Sequence, residues 1–318
     1  MDSIYPVYTV PTECVDCYKC VRQCPVKAIR IENGVASIIP ERCIACGGCV
    51  RVCPHHAKQV RNDLPMVQKL LRGPRPVYVS LAPSWSGVFP QWNANAIIGA
   101  LKSLGFRGVS ETARGAQEVS AAVAEELSKR DSGVLISSAC PAIVDYIRVY
   151  HSDQTKNITP IASPLLTHCA LLRREFGDDI RIVFIGPCIA KKNEADRHPE
   201  LLDVALTYYE LEELFRFNAI HPQDFATIEA QFVPEIAYEG ALYPIEGGML
   251  ETIRICDRSR TRQLQSVSGI GLLGESLEQI RSVEGAGPIF IEALACPGGC
   301  IHGPCARRTS GLTATTEI

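Results

Sequence analysis

Hydrophobic and polar positions follow two rhythms along this 318-residue chain, and one gives way to the other near residue 70. In the first stretch the apolar residues come in short alternating runs. Residues 28–32 and 35–39 alternate like half-buried strands on either side of Asn33-Gly34, a dipeptide suited to a tight hairpin turn. Beyond residue 70 the runs become continuously apolar and β-branched, at 77–81, 133–136, 182–185, 204–207 and 289–294, and these predict buried strands. The stretches between them have a helical period. Ile97, Ile98, Leu101 and Leu104 share one helix face that stops at Gly105, and residues 119–127 form a second helix. Strands alternating with helices predict an α/β unit with largely parallel sheets, whose ligands bind beyond the carboxyl ends of the strands. The expected organisation is a small α+β unit over residues 1–70 and an α/β unit over 71–318, with a linker at 61–76 that contains three prolines.

Composition narrows the class. With 46% hydrophobic and 21% charged residues, the chain can bury one large core and a smaller satellite. The net charge of -3 carries no run of five or six like charges, so no footprint for nucleic acid is present. No apolar stretch approaches the roughly 18 residues of a membrane span, and residues 1–10 lack a basic patch followed by an apolar run. A cytoplasmic protein is expected, without membrane contact and with no signal for its oligomeric state. In that compartment the 15 cysteines read as metal ligands rather than as a disulfide framework.

Their spacing says which metal group. Cys14, Cys17, Cys20 and Cys24 precede Pro25, and Cys43, Cys46, Cys49 and Cys53 precede Pro54. This is C-x2-C-x2-C-x3-C-P twice, the run of bacterial ferredoxins with two 4Fe-4S clusters, in which each fourth cysteine serves the other cluster. Three thiolates on one tight loop can cap three irons of a cubane, and the fourth must come from elsewhere. The first cluster is therefore expected on Cys14, Cys17, Cys20 and Cys53, and the second on Cys43, Cys46, Cys49 and Cys24. Zinc knuckles pair two C-x2-C elements and leave the third cysteine and the proline without a purpose. With every ligand position filled, His55 and His56 read as surface residues.

A further set lies in the larger unit. Cys140, Cys188, Cys296 and Cys300 each follow an apolar strand and sit beside proline or glycine. A lone buried cysteine is usually a small hydrophobe. Four at strand ends, in a chain that already carries an electron relay, point instead to an iron-sulfur cluster held by three distant loops. Cys169 and Cys256 read as packing residues, and Cys305 as either packing or a ligand.

The loops themselves are specific. Ser137-Ser138-Ala139-Cys140-Pro141, Pro187-Cys188-Ile189-Ala190-Lys191-Lys192-Asn193-Glu194 and Glu292-Ala293-Leu294-Ala295-Cys296-Pro297-Gly298-Gly299-Cys300 resemble the three signatures of the iron-only (FeFe) hydrogenases, T-S-C-C-P, M-P-C-x-x-K-x-x-E and E-x-M-A-C-x-x-G-C. Ala82-Pro83-Ser84, Ala195-Asp196-Arg197 and Gly247-Gly248-Met249 add to a likeness that covers nearly the whole chain. The resemblance implies an H-cluster: a 4Fe-4S cube on Cys140, Cys188, Cys296 and Cys300, with Cys300 bridging to a diiron subcluster that carries CO, cyanide and azadithiolate. It implies that Lys191 hydrogen-bonds one cyanide through a charge-assisted contact. It also implies that Ala82, Pro83, Ser84 and Pro187 wall the pocket. Glu194 would pair with Lys191 or Lys192, or lie in solvent. The chemistry implied is reversible oxidation of H2 to protons, with electrons relayed to a ferredoxin-like partner or a downstream signalling protein. That couple lies at about -0.4 V at neutral pH, from ~59 mV per decade of proton activity, within the span of roughly -700 to +450 mV that cubanes cover.

The chain also departs from the pattern. Ala139 replaces the cysteine that hands protons to the site, and a lost proton donor costs about 10²- to 10⁴-fold in rate. Ala122 and Val123 stand where acidic relay residues are expected. Gly186 and Leu294 replace two methionines and Ile143 a tryptophan, changes expected to enlarge and repolarise the pocket. The pattern resembles the sensory hydrogenases of anaerobes, many of which add a C-terminal PAS-like domain; this chain either belongs to a branch without one or is a fragment. Slow turnover is expected, with Glu292 or Glu251 as the proton carrier and Glu292 equally able to serve a backbone amide. Two other readings remain open. One is a non-catalytic hydrogenase-like iron-sulfur assembly or electron-transfer protein that binds only cubanes. The other is a ferredoxin-linked reductase, for which Gly269-Ile270-Gly271 with Gly274 is a weak nucleotide signal in a run without a clear preceding strand.

Overall fold

The computed structural model describes residues 5–256, 263–280 and 287–306. Its strands in chain order are β1 (Val7–Thr9), β2 (Ile29–Glu32), β3 (Val35–Ile38), β4 (Lys58–Val60), β5 (Val77–Leu81), β6 (Gly108–Glu111), β7 (Val134–Ile136), β8 (Arg181–Gly186), β9 (Val204–Thr207), β10 (Gln263–Ser268) and β11 (Ile289–Leu294). The larger unit carries two all-parallel sheets, ordered β6-β5-β8-β9 and β10-β11-β7. Strands covered on both faces are predominantly apolar, and β5, β9 and β11, buried throughout, carry one small or hydrogen-bonded polar residue each, Ser80, Thr207 and Glu292. The parallel order leaves the carboxyl ends of β5, β7, β8 and β11 free to carry loops toward one site.

In the larger unit two strands depart from the expected set. β6 and β10 are too polar to show as apolar runs, and β10 has a half-exposed alternating pattern because it lies at a sheet edge. The helix expected at 119–127 runs over Ala113–Ser128, its first turns being short on large apolar residues. β10 also corrects the reading of Gly269: a strand does precede it, and the helix Ile270–Ile280 follows.

In the smaller unit, β2 and β3 pair antiparallel around Asn33 and Gly34, both at positive φ as the tightest hairpin turns require. β1 pairs antiparallel with β4, placing Thr9 opposite Lys58. The two cysteine runs repeat one backbone path. Asp16 and Ala45, Tyr18 and Gly47, and Lys27 and His56 occupy matching places in the runs, and all have positive φ.

The units are joined along a shared core. Val7, Ile29 and Ile44 belong to the same apolar cluster as Ile136, Ile143, Ile189 and Leu273. The Tyr150 hydroxyl donates across the seam to the carbonyls of Arg42 (2.7 Å) and Val26 (3.1 Å). Leu64 and Val67 pack in the other large core with β5, β8 and β9. The seam expected at residue 70 thus falls at the end of a helix, Leu64–Leu71, that already packs with the larger unit. Lys192 fastens the linker: fully buried, it reaches Asp63 at 2.7 Å and Glu210 at 2.9 Å.

Candidate metal centre

Cys140, Cys188 and Cys300 line one cavity of about 100 Å³ at the strand ends. One water needs only about 10–15 Å³ of such space, so the cavity suits a larger group. Cys140 caps the helix Pro141–Tyr150 after β7, Cys188 follows β8, and Cys296 and Cys300 follow β11. Small residues let the loops meet. A Cβ on Gly303 would lie 2.8 Å from Pro187 Cβ, and the Cys305 amide donates to the Pro187 carbonyl at 3.0 Å. All 15 cysteines are free of disulfides.

The electrostatics test whether an iron-sulfur group fits. Burial first, and the neighbouring thiols second, push Cys188 up to about 12, and Cys296 and Cys300 well above the ordinary thiol range. Thiolates that repel each other in an apolar wall need a polycation among them, and an iron-sulfur core supplies one while holding its ligands deprotonated. The donor set and its surroundings fit such a group. Among the described residues no three His, Cys, Asp or Glu side chains converge as for a single ion. The thiols instead surround volumes.

Lys191 stands at the wall. Its Nζ lies 2.6 Å from Glu194 Oε2 and 3.4 Å from Ser163 Oγ, with all three residues buried. Burial opposes the ammonium most, yet Glu194 and the thiols of Cys188 and Cys140 together raise its pKa, so it stays charged. Of the three places expected for Glu194, the pairing with Lys191 is the one found. Lys192, the next residue of the helix Ala190–Arg197, is turned away to Asp63 and Glu210, as a rotation of about 100° per residue requires.

Ala82, Pro83, Ser84, Pro187 and Leu294 also line the cavity. The Ser84 and Tyr208 hydroxyls are 2.8 Å apart, and Tyr208 donates to the Ala82 carbonyl at 3.1 Å, which fixes this part of the wall. The enlargement expected at Gly186 is not found. A Cβ there would lie 2.5 Å from Phe184 Cζ and 2.8 Å from Ala82 Cβ, so the phenyl ring already fills the space. Ile143 lies in the shared core rather than at the wall.

The proton-carrying candidates separate sharply. Glu292 is buried at the cavity wall, accepting from the Gly247 amide (2.7 Å), the Met249 amide (3.0 Å) and the Ser266 hydroxyl (2.6 Å). Burial raises its pKa, and those three donors pull it back only in part. It is thus both a wall residue and a partner of backbone amides. Glu251 is exposed and ion-paired with Arg254, so its expected place at the site is corrected. The Gly-Gly motif brings backbone to the site, while residue 251 lies on the outer face of the helix Gly248–Cys256. Ala139 lines the cavity, and Val123 lies in a core. Cys169 is buried in the large core as expected, whereas Cys256 is exposed and does not pack. Cys305 is buried in the shared core.

Sequence patterns did not mark several wall residues. Tyr243 lines the cavity and stands 2.8 Å from the Ser120 hydroxyl, which is 2.6 Å from Thr252. Thr112, also at the wall, is 2.7 Å from Ser80, which meets His168 Nδ1 at 2.8 Å; Ser110 meets Nε2 at 2.9 Å. Burial and Arg114 push His168 down to about 3, so the ring is neutral. The motif at Gly269 has a local use. Its turn packs beneath Pro297, Gly269 donates to the Leu294 carbonyl at 2.8 Å, and Gly298 donates to Ser268 at 3.1 Å. The cysteine loop packs against this glycine turn.

The N-terminal cysteines form two further groups. Cys14, Cys17, Cys20 and Cys53 line one cavity, and Cys24, Cys43, Cys46 and Cys49 another, in the crosswise grouping that the spacing predicts. Burial, before any other cause, pushes Cys46 up to about 11 and Cys49 to about 12. His55 and His56 are exposed, His55 at the rim of the first cavity. The second group adjoins the large site. A Cβ on Gly47 would lie 2.5 Å from Pro304 Cβ and 2.7 Å from Ile189 Cδ1, next to Cys188.

Residues 6–54 match the 4Fe-4S dicluster domain, and residues 75–304 match the family described as iron only hydrogenase large subunit, C-terminal domain. The periplasmic [Fe] hydrogenase large subunit of Nitratidesulfovibrio vulgaris is 27% identical over 367 residues, covering 95% of this chain and 86% of that one. Iron hydrogenase 1 of Clostridium pasteurianum is 25% identical over 252 residues, covering 64% of this chain and 44% of its own length, so the chain spans less than half of that relative. In fold, the chain is similar to the [FeFe]-hydrogenase HydA1 from Chlamydomonas reinhardtii, with TM-score 0.66 at 19% identity, over 81% of this chain and 87% of that one.

Proposed function

We propose, from the premise that this chain belongs to the iron-only hydrogenase large-subunit family, that it is a slow reversible hydrogenase of sensory type. The observation that carries the reading is the strand-end cavity, where three thiols, a neighbouring fourth and the Lys191 ammonium meet beside an alanine at position 139. Cys140, Cys188, Cys296 and Cys300 would hold a 4Fe-4S cube and, through Cys300, a diiron group with CO, cyanide and azadithiolate. Bound there, that group supplies the centre at which protons and electrons interconvert with H2.

The residues of the chain do the rest. Glu194 and Ser163 hold Lys191 Nζ at the wall, which makes the ammonium a fixed donor to an anionic ligand. Ala82, Pro83, Phe184 and Leu294 keep that side of the cavity apolar and short of water. Ala139 holds no proton. Glu292 can hold one at its carboxyl, but Gly247, Met249 and Ser266 grip both oxygens, so the group cannot swing freely and delivery is slow. Glu292→Gln should lower hydrogen turnover by on the order of 10²-fold, and undiminished turnover would remove Glu292 from the path.

Electrons would pass from the strand-end site across the Gly47 contact to the second N-terminal cluster and on to the first, whose Cys17 is exposed. A ferredoxin-like carrier or a signalling protein would collect them there. No helix among the described residues is long and apolar enough to cross a membrane, and we place the protein in the cytoplasm of an anaerobic cell. Infrared spectra of protein matured with a synthetic diiron complex test the assignment: CO and cyanide bands together with H2/D+ exchange support it. Ala139 also favours a second reading, an iron-sulfur assembly or electron-transfer protein with cubanes alone, which full iron loading without diatomic bands would establish.

A further inference from the structure

β4 opens with a side chain that strand patterning does not explain. Lys58 is only 3% exposed. Lysine is rarely buried unless a carboxylate pairs with it. Among the described residues no carboxylate pairs with this one: Nζ donates to the Thr9 hydroxyl at 2.6 Å and to the Ala36 carbonyl, both neutral acceptors. Lys192, equally buried, has two carboxylates. Lys58 lines the same cavity as Cys14, Cys17, Cys20 and Cys53. The cavity of the second group, around Cys24, Cys43, Cys46 and Cys49, is not lined by it.

We propose that Lys58 is a potential-setting residue, a buried positive charge that raises the reduction potential of the first N-terminal cluster more than that of the second. The inference rests on the reading that these two groups of cysteines hold 4Fe-4S clusters. Each cluster takes up one electron and becomes more negative by one charge. A fixed cation nearby, in a poorly screened interior, stabilises that reduced form, and cluster potentials respond to such charge and to solvent exposure. The cluster at the exposed end of the chain then becomes the better acceptor. Electron flow outward from the strand-end site is favoured, the direction in which hydrogen would be sensed.

The test is a potentiometric titration of the reconstituted full chain, with dithionite as reductant and EPR of the reduced clusters as readout, comparing Lys58→Gln and Lys58→Met with Lys58→Arg. At the potential where the first wild-type cluster is half reduced, both neutral variants should show a reduced-to-oxidised ratio about tenfold lower, a shift of ~59 mV for a one-electron couple. The second cluster should move less, and Lys58→Arg should stay close to wild type. Unchanged potentials in the neutral variants overturn the proposal. So does an arginine variant that shifts as far as they do, or loss of iron from both neutral variants, which would make the role structural. Wild-type protein that takes up no iron in the N-terminal unit would sink the cluster reading itself, whereas normal iron with unmoved potentials sinks only the role of Lys58.

Discussion

The N-terminal cysteines and the strand-end cysteines solve one problem, bringing four thiols around a cavity, by opposite means. In the N-terminal unit the ligands are written into local spacing, and the backbone repeats the same left-handed turns in each run. At the strand ends they come from loops separated by as much as 160 residues, from Cys140 to Cys300, and only the parallel order of β7, β8 and β11 in two sheets brings them together. Local spacing tolerates exposure, as Cys17 shows. Assembly from distant loops requires burial, an apolar wall and a charge such as Lys191 held in place. One group reaches solvent at Cys17, and the other keeps Cys140 buried.

The largest effect should come from breaking one group while sparing the other. Cys300→Ser should abolish the CO and cyanide bands and all hydrogen turnover while leaving the EPR signals of the N-terminal clusters. Cys17→Ser should do the reverse, losing one N-terminal cluster and keeping the diatomic bands. Next in size is Ala139→Cys, which supplies the missing thiol at the cavity wall. Turnover should rise by about 10²-fold, the low end of the range for a proton donor.

Acid separates the two regions in a different way. His168 is held neutral in the larger unit and pushed down to about 3. The unfolded chain takes up a proton at this residue below about 6.5, while the folded one does not. Stability from this group is therefore complete above pH 6.5 and falls as pH drops, by about 1.4 kcal/mol per unit at most. Urea denaturation at pH 7 and pH 5 should show this loss in wild type and a flatter response in His168→Gln. A paired glycine substitution isolates the contact between the regions. Gly34 and Gly47 have nearly the same φ, +75° and +74°, but only Gly47 faces a neighbour. Gly34→Ala should cost about 1–2 kcal/mol for left-handed backbone, and Gly47→Ala about 1–3 kcal/mol more for overpacking against Ile189 and Pro304. Gly47→Ala should also lower dye-coupled H2 oxidation relative to H2/D+ exchange, which Gly34→Ala should not.

What could be read in the sequence divides along the same line. β5, β9 and β11 stand out because both of their faces are covered, and the crosswise grouping of the N-terminal cysteines follows from spacing alone. β10 is hidden because an edge strand keeps one polar face, so in sequence the glycine motif after it reads as lying in a loop. Periodicity reports burial but not direction. Glu292 and Glu251 each lie close to a motif, yet one reaches the cavity and the other pairs with Arg254 in solvent. Gly186 reads as missing volume until Phe184 is seen to occupy it. Lys58 reads as a polar residue on a short strand, and nothing local says that it turns inward.

The shared core of Val7, Ile29 and Ile44 with Ile136, Ile143 and Ile189 has a consequence for how such a protein can evolve. Modules that recombine freely meet at polar seams that survive a change of neighbour. Here the meeting surface is interior on both sides. Another ferredoxin grafted onto residue 70 would leave aliphatic side chains uncovered, and a substitution on one side of the boundary must be answered on the other. The dicluster unit and the strand-end unit are therefore expected to change in step, each side of the shared core constraining the other.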